Sequence, residues 1–151
     1  MKDALPKFMI FGLALGIACT QAYERGYLDG DVFGSAQANA PAITLNKLTK
    51  LSAKYNARLP MMMDKETRWD RSKAGPGLEL KYYYTVVNYR ADQINSRQIK
   101  QHQWQVTKEK VCSARELKTF WKNGVTLKYN YKGKDGRYVM DFAVTPQQCG
   151  Y

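Results

Sequence analysis

From Ala42 to Leu59 the apolar positions recur at three and four. Leu48, Leu51, Tyr55 and Leu59 fall on one side, with Lys47, Lys50, Lys54 and Arg58 on the other. That spacing matches the ~3.6-residue period of an amphipathic helix. Pro60 predicts its end, because proline has no N–H to donate and clashes with the preceding turn. Residues 60–70, PMMMDKETRWD, read as a strand, and RSKAGPG over 71–77 reads as a turn around Gly75-Pro76-Gly77. The period then becomes clearly two. Leu78, Leu80, Tyr82, Tyr84 and Val86 alternate with Glu79, Lys81, Tyr83, Thr85 and Val87, which predicts a strand over 78–89 with one core face and one mixed face.

Residues 91–110 are polar and predict a helix with Ile94, Ile99, Trp104 and Val106 as its apolar points. Ser113 followed by Glu116 has the form of a capping box, in which each side chain satisfies a free amide of the first turn. It predicts a short helix running to Asn123-Gly124, with Leu117, Phe120 and Trp121 buried and Cys112 at its start. The chain closes on a hairpin. Val125, Leu127, Tyr129 and Tyr131 alternate with Thr126, Lys128 and Asn130, KGKDGR makes the turn, and Tyr138, Met140, Phe142 and Val144 form the return strand. These elements predict an α+β domain with a four-stranded antiparallel sheet, helices on one face, and the order α-β-β-α-α-β-β.

The N-terminus follows a different pattern. MKDALPK is basic, FMIFGLALGIA (Phe8 to Ala18) is an apolar run of 11 residues, and CTQA ends it. This is the order of a secretory signal peptide over 1–22, with Thr20 and Ala22 suited to cleavage after Ala22. The run is shorter than the ~20 apolar residues that span a bilayer. An uncleaved N-terminal anchor and lipidation of Cys19 remain open beside cleavage. Gly16-Ile17-Ala18 before Cys19 is suitably small, but Leu15 stands one residue too far away for a clean lipoprotein signal. Residues 23–41, YERGYLDGDVFGSAQANAP, read as a linker, and 42–151 as the single domain.

Export changes the reading of cysteine and charge. With Cys19 in the leader, Cys112 and Cys149 are left as a pair in an oxidising compartment and predict one disulfide. The net charge is +11, and it is uneven: residues 23–40 carry Arg25 against Glu24, Asp29 and Asp31, so the excess of lysine and arginine lies in the domain. A basic exported domain meets lipid headgroups, anionic envelope polymers and acidic protein faces, or uses its lysines for solubility alone. Nucleic acid is disfavoured by export, although Lys81, Tyr83, Tyr89 and Lys128 would suit base stacking on a sheet face.

Catalytic patterns are weak. His102 is the single histidine, in the polar stretch QIKQHQWQ, and no G-x-S-x-G accompanies it. Asp64 and Glu66 would share one face of a strand about 7 Å apart, a spacing that a glycan-active hydrolase uses, but Lys65, Arg68 and Arg71 among them favour ion pairing. Met61-Met62-Met63 contains thioethers that bind Cu(I), yet methionine is an ordinary core filler and alternation separates neighbours. No cofactor motif is present; Gly75-Pro76-Gly77 lacks the lysine and hydroxyl of a phosphate loop.

The segments LPMMMDKETRWD (59–70), YYYTVVNY (82–89), VCSARELKTFWKNGVTLKYNYKGKDG (111–136) and VTPQQCGY (144–151) resemble a group of small exported or membrane-anchored bacterial envelope proteins of uncharacterised function. The resemblance implies an envelope setting and a disulfide, and it carries no active site. The expectation is a non-enzymatic envelope protein that binds another envelope protein or an anionic surface polymer, with Lys81, Tyr83 and Lys128 as its contact face. Two alternatives stand beside it: a glycan-active hydrolase using Asp64 and Glu66, and an inhibitor or immunity factor against an exported enzyme.

Overall fold

The computed structural model describes residues 42–151; the expected signal peptide, the linker and Cys19 lie outside the described residues. The fold is α+β. Helix α1 spans Leu45–Asn56, and the Thr44 hydroxyl accepts from the Lys47 amide at 3.3 Å to cap its free N-terminal end. Its stripe of Leu48, Leu51 and Tyr55 is buried against strands β2 (Thr67–Gly75) and β3 (Glu79–Val86). After β3 come α2 (Ser96–Ser113) and the short α3 (Lys118–Lys122), then β4 (Thr126–Gly133) and β5 (Tyr138–Val144). Among the described residues no helix is long and apolar enough to cross a membrane.

The sheet has five strands in sequence order and is mixed, which corrects the expected four antiparallel strands. Two physical causes account for the difference. Residues 60–70 are not one strand: Met61–Met62 form a short β1, the chain turns at 63–66, and β2 takes in residues 71–75 of the expected turn segment, with the turn itself at 76–78. Strands β3 and β4 run parallel, because the chain between them, with α2 and α3, crosses back over one face before re-entering the sheet. Alternation along a strand is the same for either direction of pairing.

The helices lie on one face, and the core between is largely aromatic. Trp69, Tyr82, Tyr129 and Phe142 come from successive strands, with ring centroids 5.6, 5.3 and 5.1 Å apart, and Tyr84 stacks on Tyr131 at 5.0 Å. Tyr55 of α1 joins them 5.3 Å from Trp69, and Val111, Phe120 and Trp121 close the other side. Helix α2 is unusual in burying Gln103 and Thr107 beside Val111. Its polar stripe explains why periodicity placed its end early. Cys112 is in the last turn of α2, not at the start of a helix, and Ser113 donates to the Lys110 carbonyl as the helix ends, so no capping box forms there. Cys112 and Cys149 are joined by a disulfide that ties the end of α2 to the single 3-10 turn after β5.

Candidate interaction face

The other face of the sheet carries no helix among the described residues. Strand register puts Arg68, Arg71, Lys73, Lys81, Lys128 and Lys132 on it, with Glu79, Tyr83, Thr85, Asn130 and Asp141 between them. Lys81, Tyr83 and Lys128 therefore share one surface. Lys81 and Lys128 are direct partners across the parallel β3–β4 pair, and like charges so placed repel. Glu79 resolves that repulsion: its two carboxylate oxygens lie 3.2 Å from the Lys81 ammonium and 2.5 Å from that of Lys128. The hydrogen bond from Lys128, assisted by Lys81, holds the Glu79 carboxyl below its ordinary range.

A second acid works in the same way. Asp70 occupies a bulge in β2, where the register slips between Trp69 and Arg71, and this turns its carboxylate onto the open face. It accepts from Arg68 Nε at 2.6 Å and from the Thr85 hydroxyl at 2.5 Å, with Lys132 Nζ at 3.6 Å. The Arg71 guanidinium sits 4.2 Å from the centre of the Tyr83 ring, a cation–π contact across the β2–β3 pair. At the β5 edge the exposed Tyr138 hydroxyl donates to Asp141, which raises the Tyr138 pKa. The result is a face of fixed, mixed charge around one half-exposed tyrosine.

The acidic pair considered for catalysis has another use. Asp64 and Glu66 lie in the turn between β1 and β2 and not along a strand. One Asp64 carboxylate oxygen accepts from the amides of Glu66 and Thr67 at 2.6 and 2.8 Å, closing that turn. Burial, then the neighbouring Asp64 charge, pushes the Glu66 carboxyl up. His102 is exposed on α2, Tyr89 is half-buried against the core, and Met62 is exposed while Met61 and Met63 pack on the core. Among the described residues no cluster of three or more histidine, cysteine, aspartate or glutamate side chains is placed to hold a metal.

One surface was not anticipated. A groove of about 470 Å³ runs between α2 and the edge strand β5, lined by Arg97, Lys100, Gln101, Trp104, Phe142 and Ala143. The Trp104 indole N–H donates to the Ala143 carbonyl at 3.1 Å. The sequence held a signal for it: Arg97, Lys100, Trp104 and Lys108 recur at helical spacing as a stripe of cations around one aromatic ring.

The fold is found in solved structures. A presumed secreted protein from Pseudomonas aeruginosa aligns with a TM-score of 0.58 at 17% identity, covering 69% of this chain and 90% of that one. A pilotin of the Vibrio vulnificus type 2 secretion system, EpsS, aligns with a TM-score of 0.54 at 14% identity, covering 68% and 87%. At these identities the likeness shows a shared fold. No curated protein matches the chain. A family model described as a domain of unknown function, DUF8479, matches residues 44–140, and the chain belongs to that family.

Proposed function

We propose that this chain is a non-enzymatic exported protein of the bacterial envelope that binds another envelope protein through the open face of its sheet, with Lys81, Tyr83 and Lys128 in the contact. The carrying observation is the sheet face itself, which carries no helix among the described residues and sets Tyr83 among cations of which Arg68, Lys81, Lys128 and Lys132 share Asp70 or Glu79. Glu79, Asp70 and Asp141 stand among the six cations of this face and break up its positive field, so a protein surface of mixed charge fits better than a uniform surface polymer. The apolar leader over 1–22, Cys112–Cys149, and the fold shared with a presumed secreted protein and a secretion-system pilotin all support an exported setting.

The test places a photoreactive phenylalanine analogue at position 83 of the full chain in cells, with a second copy of the experiment at exposed Glu109 as control. A discrete envelope-protein adduct at 83 but not at 109, abolished by Lys81→Glu with Lys128→Glu, supports the reading. A chain recovered in the cytosol with free Cys112 and Cys149, or adducts insensitive to the charge reversal, refutes it.

A further inference from the structure

Not all the cations on this protein are paired. On the open sheet face Lys81 and Lys128 share Glu79, Arg68 and Lys132 share Asp70, and Arg71 lies over the Tyr83 ring, with Lys73 outside any ion pair among the described residues. At the groove between α2 and β5 neither the Arg97 nor the Lys100 side chain has an ion-pair or hydrogen-bond partner among the described residues. These two exposed cations stand beside an apolar floor made by Trp104, Phe142 and Ala143. The floor is held in place: Trp104 is bonded to the Ala143 carbonyl, and further along α2 the Cys112–Cys149 disulfide ties the helix to the turn after β5. The two walls of the groove are therefore cross-linked at one end, and the site exists before anything binds, which lowers the ordering cost of binding.

We propose that this groove takes an acidic, amphipathic segment of a partner protein, with an apolar side chain of that segment on Trp104 and Phe142 and its carboxylates on Arg97 and Lys100. The inference rests on the reading of the chain as a binding protein and adds a second surface to it. Charge decides among occupants. A second copy of this chain brings net charge +11 against another +11 and is repelled. A plain polyanion finds the cations but gains nothing from the indole and phenyl rings, whereas a segment carrying both chemistries uses the whole lining. Lys108, with its ammonium 5.1 Å from the centre of the Trp104 ring, extends the cationic line beyond the aromatic floor.

The experiment uses the chain purified from the envelope after expression of all 151 residues, with a fluorescein-labelled peptide alternating glutamate and leucine as probe. Binding is read by anisotropy and by tryptophan emission, to which Trp104 responds while Trp69 and Trp121 are buried. Arg97→Glu with Lys100→Glu, and separately Trp104→Ala, are expected to weaken binding at least about ten-fold, with Lys81→Glu and Lys128→Glu leaving it within about two-fold. The charge reversal is on exposed side chains and keeps the test open if the tryptophan variant unfolds.

Four results overturn the proposal. The wild-type chain does not bind the peptide; only the Lys81 and Lys128 reversal weakens it, which moves binding to the sheet face and leaves the function reading intact; polyglutamate binds as tightly, which makes the groove a polyanion site; or Glu24→Gln with Asp29→Asn and Asp31→Asn tightens binding about ten-fold, which gives the groove to the chain's own acidic segment.

Discussion

Cys112 in the last turn of α2 is bonded to Cys149 in the 3-10 turn that follows β5, two positions 37 residues apart in sequence. The bond ties the end of α2 to the chain just past β5, beside the Trp104 hydrogen bond to the Ala143 carbonyl. The helix has a weakly apolar stripe, and its buried face includes Gln103 and Thr107, so hydrophobic burial alone holds it less firmly than α1. Replacing both cysteines with alanine is expected to lower unfolding stability by about 3–4 kcal/mol on the chain-entropy account. Urea denaturation checks this: reductant should move the wild-type midpoint to that of the double variant and leave the variant unchanged.

Gln103 is fully buried, and neither atom of its amide finds a hydrogen-bond partner among the described residues. A buried amide in that state costs desolvation without return. Gln103→Met keeps the volume and removes the polar atoms. It is expected to be neutral or to stabilise by about 1 kcal/mol. A loss larger than that in urea titration would show that the amide has a structural partner.

Tyr129 lies at the centre of the aromatic layer, fully buried between Tyr82 and Phe142. Tyr129→Ala is expected to cost about 3–5 kcal/mol through the lost burial and the cavity left behind. Tyr129→Phe, which keeps the ring stack, should cost no more than about 1.5 kcal/mol. The ratio of the two, from equilibrium unfolding, separates stacking from the hydroxyl.

Asp135 in the β4–β5 turn accepts from Arg137 Nε at 2.8 Å and from the Ala91 amide at 3.2 Å, joining this turn to the segment that leads into α2. The hydrogen bond from Arg137 is the main cause that lowers its pKa to about 2. A carboxyl depressed in the folded chain contributes stability above its unfolded value of about 3.9, and that contribution disappears as pH falls toward its folded value. The Tm difference between wild type and Asp135→Asn should therefore be present at neutral pH and shrink through the acid range until both chains melt alike near about pH 2. A difference that persists unchanged in acid would contradict the assignment.

The turn carboxylate separates structure from catalysis. Asp64→Ala removes the acceptor for the amides of Glu66 and Thr67 and is expected to cost about 1–2 kcal/mol, with Glu66→Gln close to neutral. Envelope-glycan hydrolysis by the wild-type chain that Glu66→Gln abolishes without a change in Tm would instead support the hydrolase alternative.

Several mismatches between pattern and structure have a common origin. The residues of β3 show their two faces in the alternation itself, and so do Leu127, Lys128 and Tyr129 in β4. Alternation says nothing about which strand lies next door, so the adjacency of Lys81 and Lys128 could not be read before the parallel register was known. The turn residues Asp64 and Glu66 looked like strand positions because Met61-Met62-Met63 and Trp69 flank them, whereas the Asp64 carboxylate is what bends the chain. Ser113 and Glu116 imitate a helix start, but the preceding helix runs on through Ser113 over buried polar residues that periodicity does not count.

Local information determined the α+β class, the stripe of α1, the alternation of β3, β4 and β5, and the pair of cysteines left to the domain, since each depends on neighbours within a few residues. The tertiary structure alone decided the parallel pairing of β3 with β4, the bulge that turns Asp70 onto the open face, and the groove between α2 and β5. Each of these depends on which distant segments meet, through a crossover, a register slip and a disulfide: the first two leave no periodic trace in the chain, and the helical stripe of Arg97, Lys100, Trp104 and Lys108 shows only the α2 wall of the groove, not the strand it faces.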